Sequence, residues 1–177
     1  RSSDLPAKLK IFEWSLEVGR EWWQTKQDGR RPSVSLEARH KVADRLVLKA
    51  IRDAVGGPKT VLAAGGAPLR KEVEEFFAAC GLLVCQGYGL TEASPLVSFN
   101  SPGGCKFGTA GRPLVGSRMS TTDDGEILYR GPNIMKGYWK APEETAAAIE
   151  DGWLHTGDIG YIDDDGFLVI TDRLKDI

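Results

Sequence analysis

The chain has 177 residues, of which 41% are hydrophobic and 27% charged, and its formal net charge is −2. This is an ordinary composition for a globular protein, and it lacks the basic excess that marks most nucleic-acid-binding proteins. No apolar run reaches the roughly 18 residues needed to span a membrane. Peripheral contact with a membrane is still compatible with the sequence. The three cysteines are odd in number and lack CxxC spacing, so we expect reduced thiols in an intracellular, cytoplasmic protein.

The first third of the chain is helical in pattern. Apolar residues recur at helical spacing from Leu5 to Trp23. The Gly- and Pro-containing stretch 27–32 should break this helix. Ser35 is expected to cap a second helix, which the Gly-Gly-Pro sequence at 56–58 would end.

The pattern then becomes α/β. Residues 60–64 predict a buried strand, residues 68–80 a helix that begins at Pro68, and residues 82–85 a second buried strand. A strand–helix–strand unit of this length predicts parallel strands.

The last third predicts antiparallel hairpins. Segments 117–121 and 126–130 flank an Asp-Asp-Gly turn, a short helix begins at Pro142, and segments 159–162 and 167–170 flank a second Asp- and Gly-rich turn. The predicted fold class is α/β, with a parallel βαβ core preceded by helices and followed by a small antiparallel β-subdomain. We divide the chain into a helical segment (1–58), an α/β core (59–100), a β-rich subdomain (101–171) and a terminal segment (172–177).

Two loops follow the predicted parallel strands. Gly65–Leu69 comes after the first strand, where glycines let a ligand approach the backbone closely. Gln86–Pro95 comes after the second strand and offers Tyr88 as a stacking surface, with glycines on either side of it. Either loop could instead be a turn without a ligand.

Three polar side chains in these motifs suit a nucleotide. Thr91 supplies a hydroxyl donor for a phosphate oxygen, and Glu92 a hard oxygen ligand for Mg²⁺. Asp158, within the Thr-Gly-Asp sequence, could accept hydrogen bonds from both ribose hydroxyls. The alternatives are a Thr91 that caps a helix, a solvated Glu92 and an ordinary turn at Asp158. We expect His155 to be structural or exposed, and the charged run 172–176, taken alone, to be a solvated turn.

Taken together and in this order, the motifs resemble the adenylate-forming superfamily of acyl-CoA synthetases, firefly-type luciferases and peptide-synthetase adenylation domains. The resemblance covers residues 61–177 and implies part of the large N-terminal domain of such an enzyme. It rests on six sequences: GGAPL, QGYGLTEASP, GTAGRP, GEILYRGPNIMKGYW, DGWLHTGDIG and DRLKD.

The resemblance implies a nucleotide-binding role for the first two loops. Gly66 and Ala67 match the loop that lines the adenine and acyl pocket, and Tyr88 matches the aromatic residue that packs on adenine. The neighbours of Tyr88 would complete this wall of the site: Gln86, Gly87 and Gly89.

The later motifs supply the remaining roles implied by the resemblance. Thr91 would contact phosphate and Glu92 would bind Mg²⁺, which makes these two the candidate catalytic residues. Asp158 would bind the ribose, Ile170 would pack near the base and Arg173 would reach the ribose. Lys175 matches the hinge about which a C-terminal domain rotates between half-reactions.

The resemblance implies an acyl-CoA synthetase, most similar to the long-chain fatty acid type, with ATP, Mg²⁺ and coenzyme A as reactants. A fatty acyl-AMP ligase, a luciferase-like enzyme and a non-catalytic nucleotide-binding module are the alternatives. The chain lacks an initiator Met and ends directly after a strand-like run, so we expect a fragment. We expect this fragment to be inactive alone, because the family's phosphate loop and C-terminal domain would lie outside it.

Overall fold

The computed structural model describes residues 5–57, 59 and 61–173, except for the side chain of Leu5. These residues form two compact units. The first contains the described residues up to Leu62 together with Arg70–Val84, and the second contains Ala63–Leu69 together with the described residues from Cys85 onward. The division into four segments that the sequence suggested stays a prediction.

The first unit is helical. Its helices are α1 (Leu5–Gln27), α2 (Val34–Ala43), α3 (Lys49–Ala54) and α4 (Lys71–Ala79), and a π-helical stretch, Asp44–Leu48, joins α2 to α3. The prediction that Ser35 caps α2 is wrong. Ser33 is the cap: its backbone is extended and its Oγ accepts a hydrogen bond from the Leu36 N–H at 3.2 Å, whereas Ser35 already lies within the first turn.

The core of the helical unit forms where α1 meets α4. Gly19 allows this close crossing, because a Cβ atom there would lie 2.1 Å from the carbonyl oxygen of Ala79. Arg52 adds a polar link: it donates to the Cys80 carbonyl at 2.9 Å and pairs with Asp44 at 2.7 Å. The buried side chains of this core are Leu16, Val18, Leu36, Ala43, Leu48, Ala79 and Cys80.

The first sheet has the strand order β1-β2-β3-β4. Its strands are β1 (Leu62–Ala64), β2 (Val84–Gly89), β3 (Leu96–Phe99) and β4 (Arg112–Pro113), and β3 is antiparallel to both of its neighbours. Helix α4 lies between β1 and β2 in the chain, and the predicted α/β fold class is confirmed.

Two local predictions about this region are wrong. Helix α4 begins at Lys71 instead of Pro68, because the backbone N–H and C=O of Leu69 both bond to the side chain of Gln86. Strand β2 does not end at Cys85 but continues to Gly89, because β3 pairs with it and places Tyr88 opposite Ser98. Tyr88 therefore lies in a strand and not in a turn.

The second sheet is antiparallel throughout, with the order β5-β6-β8-β7 and β9 on β8. Both predicted hairpins and the helix at Pro142 are confirmed. The elements are β5 (Arg118–Thr121), β6 (Glu126–Arg130), α5 (Pro142–Ala148), β7 (Ile149–Glu150), β8 (Trp153–Ile162) and β9 (Leu168–Arg173).

The long strand β8 changes the predicted setting of Asp158. It runs through Asp158 because β6 pairs with it at Ile159 and β9 pairs with Asp158 itself, through Arg173. Asp158 and Arg173 are therefore strand residues and not turn residues. The core of this unit contains Tyr88, Ala93, Val97, Ala110, Ile127, Tyr129, Leu154 and Leu168.

Candidate functional site

Tyr88 on β2 and Asp158 on β8 are in direct contact. The phenol of Tyr88 donates a hydrogen bond to Oδ2 of Asp158. Burial, followed by this bond to a carboxylate, raises the pKa of Tyr88 above its ordinary value, so the phenol stays a hydrogen-bond donor at more alkaline pH than an ordinary tyrosine. Tyr88 is only 9% exposed and packs within the hydrophobic core of the second unit.

The second oxygen of Asp158 faces Arg173. The Arg173 Nε lies 3.5 Å from Asp158 Oδ1, across the β8–β9 register. The guanidinium is 66% exposed and the carboxylate 18%, so water screens the pair and its contribution to stability is small. This oxygen therefore remains available to accept a hydrogen bond from a ligand hydroxyl.

Strand β6 fixes the stretch that leads to Asp158. Glu126 accepts the Gly157 N–H at 2.9 Å through Oε1, and its Oε2 lies 2.9 Å from His155 Nδ1. The Thr156 hydroxyl donates to the Ile127 carbonyl at 2.8 Å and accepts from the Asp158 N–H at 3.2 Å. His155 thus belongs to a network that positions the strand, in agreement with the structural role expected for it.

The Gly65–Leu69 loop is tied to β2 by Gln86. The buried Gln86 amide accepts the Leu69 N–H at 2.9 Å and donates to the Leu69 carbonyl at 3.2 Å. Gly66 has φ +84° and open space around its Cα, and Ala67 is exposed. The structure thus assigns Gln86 to loop support and leaves the backbone at Gly66 accessible.

The glycines beside Tyr88 serve packing within the protein. A Cβ atom at Gly87 would lie 2.8 Å from Phe99 Cδ2, and one at Gly89 would lie 2.2 Å from the Pro95 carbonyl oxygen. The protein's own atoms occupy the space in which a side chain at either position would lie. Glycine is needed at both positions because β2 lies so close to Pro95 and Phe99 in the segment that follows it.

Thr91 and Glu92 lie in a 3-10 turn, Thr91–Ala93, directly after β2. The Thr91 side chain is exposed and makes no hydrogen bond to any described residue. Glu92 accepts the Tyr138 hydroxyl at 2.7 Å through Oε1, and its carbonyl accepts the Met135 N–H at 2.7 Å. The bond to Glu92 raises the pKa of the Tyr138 phenol.

The segment 131–139 holds this turn in place, a role that the sequence analysis missed. Asn133 donates to the carbonyls of Ala93 and Leu96, the latter at 2.8 Å, and accepts the Tyr129 hydroxyl at 2.7 Å. The sequence signal for this role is a single amide side chain, Asn133 in the GPNIM stretch.

The remaining predicted site residues are less closely connected. Ile170 is half-buried and packs against the core that contains Tyr88. Within the described part of the chain, no hydrogen bond joins Gly66, Ala67 or Thr91 to Asp158. Lys175, the predicted hinge, lies outside the described residues.

The donor set around Glu92 limits what kind of metal site it could form. No group of three or more His, Cys, Asp or Glu side chains among the described residues is arranged to hold a metal ion. Mg²⁺ commonly binds one or two carboxylates together with water and substrate phosphates, and a single hard oxygen ligand such as Glu92 fits that arrangement.

Among the helices described, none has the length and apolar character required to cross a membrane.

Sequence comparison identifies named relatives. The long-chain-fatty-acid–CoA ligase FadD15 of Mycobacterium bovis is 40% identical over 170 residues, which cover 96% of this chain and 28% of that protein. A long-chain-fatty-acid–CoA ligase of Bacillus subtilis is 43% identical over 127 residues, 64% of this chain and 23% of that protein. The chain thus spans less than a third of the length of these relatives.

Structural comparison identifies solved proteins with a similar fold. The O-succinylbenzoate coenzyme A synthetase of Bacillus subtilis, solved with ATP and magnesium, superimposes with a TM-score of 0.64 at 28% identity over 84% of this chain and 36% of that one. ATP-bound MatB from Rhodopseudomonas palustris gives 0.62 at 34% identity over 66% and 26%. The family model described as AMP-binding enzyme matches residues 11–139, and the chain therefore belongs to the AMP-binding enzyme family.

Proposed function

We propose that the protein containing this chain is a long-chain fatty acid–CoA ligase. The observation that carries the proposal is the bond from Tyr88 to Oδ2 of Asp158, which leaves Oδ1, 3.5 Å from the exposed Arg173, to accept a hydrogen bond from a ligand. The FadD15 and Bacillus relatives are both named long-chain-fatty-acid–CoA ligases, which supports a fatty acid as the substrate.

The arrangement of Asp158 suits the ribose of a bound nucleotide. An ionised carboxylate only accepts hydrogen bonds, so it pairs naturally with the two hydroxyls of a ribose. Because Tyr88 already donates to Oδ2, Oδ1 is the stronger candidate acceptor for the ligand. Arg173 is exposed and lies beside Asp158, so it would contact the ribose of the same ligand.

Thr91 and Glu92 would face the phosphates. The Thr91 hydroxyl is exposed and would donate to a phosphate oxygen. The Tyr138 phenol engages only Oε1 of Glu92, which leaves Oε2 for a Mg²⁺ ion that also binds phosphate oxygens. Such an ion would offset negative charge on the triphosphate, while the protein's own residues orient the reacting groups.

The proposed ligase reaction has two steps, adenylation and thioester formation. In the first, a carboxylate oxygen of the fatty acid attacks the α-phosphorus of ATP, the bond to the β-phosphate oxygen breaks, and acyl-AMP and pyrophosphate result. In the second, the thiolate of coenzyme A attacks the acyl carbon and AMP leaves with the electrons of the broken anhydride bond. Between the two steps, a C-terminal domain would rotate about a hinge at Lys175.

The test is substrate-dependent turnover by the full-length protein. We expect ATP–pyrophosphate exchange to increase with fatty acid chain length from acetate to palmitate, and AMP release to require coenzyme A. A preference for acetate or benzoate would overturn the fatty acid assignment. Accumulation of acyl-AMP that coenzyme A does not convert to AMP and a thioester would favour an acyl-AMP ligase. ATP binding without any exchange would favour a non-catalytic nucleotide-binding module.

A further inference from the structure

A groove lies at the open end of the β5–β6 hairpin and includes none of the candidate nucleotide-site residues. It is open to solvent and has a volume of about 400 Å³. Two arginines supply its charge, and small residues form much of the rest of its wall. The lining residues are Gly116, Arg118, Arg130, Gly131, Pro132 and Gly152.

The two arginines are direct cross-strand partners. Arg118 on β5 pairs in register with Arg130 on β6, so the side chains project from the same face of the sheet. Both are exposed, and neither forms an ion pair or hydrogen bond with any residue that the structure describes. Like charges placed opposite each other destabilise a sheet, so this arrangement favours a bound anion.

Four other arginines of the chain have an acidic or carbonyl partner within about 3.1 Å, so their charge is partly compensated within the protein. These are Arg30 with Asp28, Arg39 with Glu21, Arg52 with Asp44 and Arg112 with the Asp165 carbonyl.

Glycines shape the wall beneath Arg130. Gly152 has φ +79°, and a Cβ atom there would lie 3.5 Å from Cζ of Arg130, so the guanidinium lies directly over its backbone. Gly131 has no room for a side chain, since a Cβ would be 2.7 Å from the Tyr129 hydroxyl and 2.9 Å from Ser117 Cβ. No side chain at either position fills the groove or covers the guanidinium.

The geometry points to a phosphate-binding site at the Arg118–Arg130 groove. A guanidinium presents a planar fork of N–H donors that matches two oxygens of a phosphate, and two such forks can neutralise a dianion. A volume of about 400 Å³ accommodates more than one phosphate group, so both pyrophosphate and a nucleotide bearing a phosphomonoester fit the groove. These two sources share the same recognition chemistry.

The test is calorimetric titration of the full-length protein with inorganic pyrophosphate and, separately, with adenosine 3′,5′-bisphosphate. We compare the Arg118→Gln/Arg130→Gln variant with wild type and with Arg31→Gln/Arg45→Gln, which removes the same charge from two other exposed arginines. At least one probe should bind wild type and the control within twofold of each other, and bind the groove variant at least tenfold more weakly. The probe whose affinity is lower for the groove variant than for wild type identifies which phosphate compound the groove binds.

Three results would overturn the groove site: neither probe binds wild type, the groove variant binds like wild type, or the control variant loses as much affinity. ATP titration of the same three proteins separates this inference from the proposed function. ATP should bind all three alike if the groove is a separate site. Loss of ATP affinity in the groove variant equal to the loss for the probe would contradict a separate site, whereas failure of ATP to bind any of the three would contradict only the proposed function.

Discussion

The phenol of Tyr88 donates a hydrogen bond to the carboxylate of Asp158 across 70 residues of sequence. The bond joins β2 of the first sheet to β8 of the second. It fixes one oxygen of Asp158 toward the buried phenol and leaves the other facing the exposed Arg173. The two oxygens of this carboxylate therefore have different surroundings, and only one is available to a ligand.

Replacement of Asp158 by Asn should weaken ATP binding about tenfold, because hydrogen bonds to an ionised acceptor are about 1 to 1.5 kcal/mol stronger than those to a neutral one. The Tyr88 bond can persist to the amide oxygen, so the fold should remain. Equilibrium binding of ATP by the full-length protein measures the effect. Asp164→Asn, an exposed residue in the β8–β9 turn, is the control for the loss of one negative charge, and equal losses in both variants would exclude a ribose contact by Asp158.

The raised pKa of Tyr88 predicts a specific pH dependence of stability. An unfolded tyrosine loses its proton near pH 10, whereas folded Tyr88 keeps it to higher pH, so above about pH 10 the unfolded state binds fewer protons and the free energy of unfolding falls as pH rises. Below the unfolded pKa this contribution is fully present. The free energy of unfolding, measured with urea from about pH 8 to about pH 11, should fall less steeply with pH in Tyr88→Phe than in wild type.

The control for this titration is Tyr161→Phe, a tyrosine on β8 that is 53% exposed. Its removal should leave the pH dependence of the unfolding free energy close to that of wild type. Parallel curves for Tyr88→Phe and wild type would show that the phenol does not carry a proton difference between the folded and unfolded states.

Local signals made the hairpins predictable, and the site geometry depended on contacts that the sequence does not display. Asp123-Asp124-Gly125 predicted the β5–β6 turn because Gly125 adopts φ +84°, which a glycine does at little cost. Strand β3 was not predicted, because its Ser98 is polar yet fully buried and so hides the apolar pattern. Without β3 there was no reason to extend β2 through Tyr88.

Tyr138→Phe should raise the Mg²⁺ concentration needed for half-maximal activity about threefold, because the carboxylate of Glu92 would lose the phenol that orients it. Tyr138 is 41% exposed, so the unfolding free energy should hardly change. Pyrophosphate exchange measured against Mg²⁺ concentration tests this. Trp139→Phe, at the neighbouring 88% exposed position, should not shift the midpoint, and an unchanged midpoint in Tyr138→Phe would separate Tyr138 from Mg²⁺ binding.

Asn133→Ala should lower the free energy of unfolding by about 2 kcal/mol, since the carbonyls of Ala93 and Leu96 and the Tyr129 hydroxyl would all lose their partner. The same change should raise the KM for ATP, because the turn carrying Thr91 and Glu92 would no longer be held. Urea unfolding and steady-state kinetics of the full-length protein measure the two effects.

The matched control for Asn133 is Lys136→Ala, an exposed position in the same segment. It should alter the unfolding free energy by less than about 0.5 kcal/mol. A loss of stability in Asn133→Ala without any change in the KM for ATP would confine the amide to a structural role.

Gly19→Ala should destabilise the helical unit even though alanine is the better helix former. The substitution gains about 1 kcal/mol in helix propensity. It also places a Cβ atom 2.1 Å from the Ala79 carbonyl oxygen, a backbone atom that no side-chain rotation can move away, so α1 and α4 must separate. Overpacking of this kind costs about 1 to 3 kcal/mol, and such severe overlap favours the upper end, so we expect a net loss of about 1 to 2 kcal/mol in urea unfolding. Gly103→Ala, where a Cβ meets nothing within 4 Å, should cause no loss, and equal stability of the two variants would mean that α1 and α4 do not cross at Gly19.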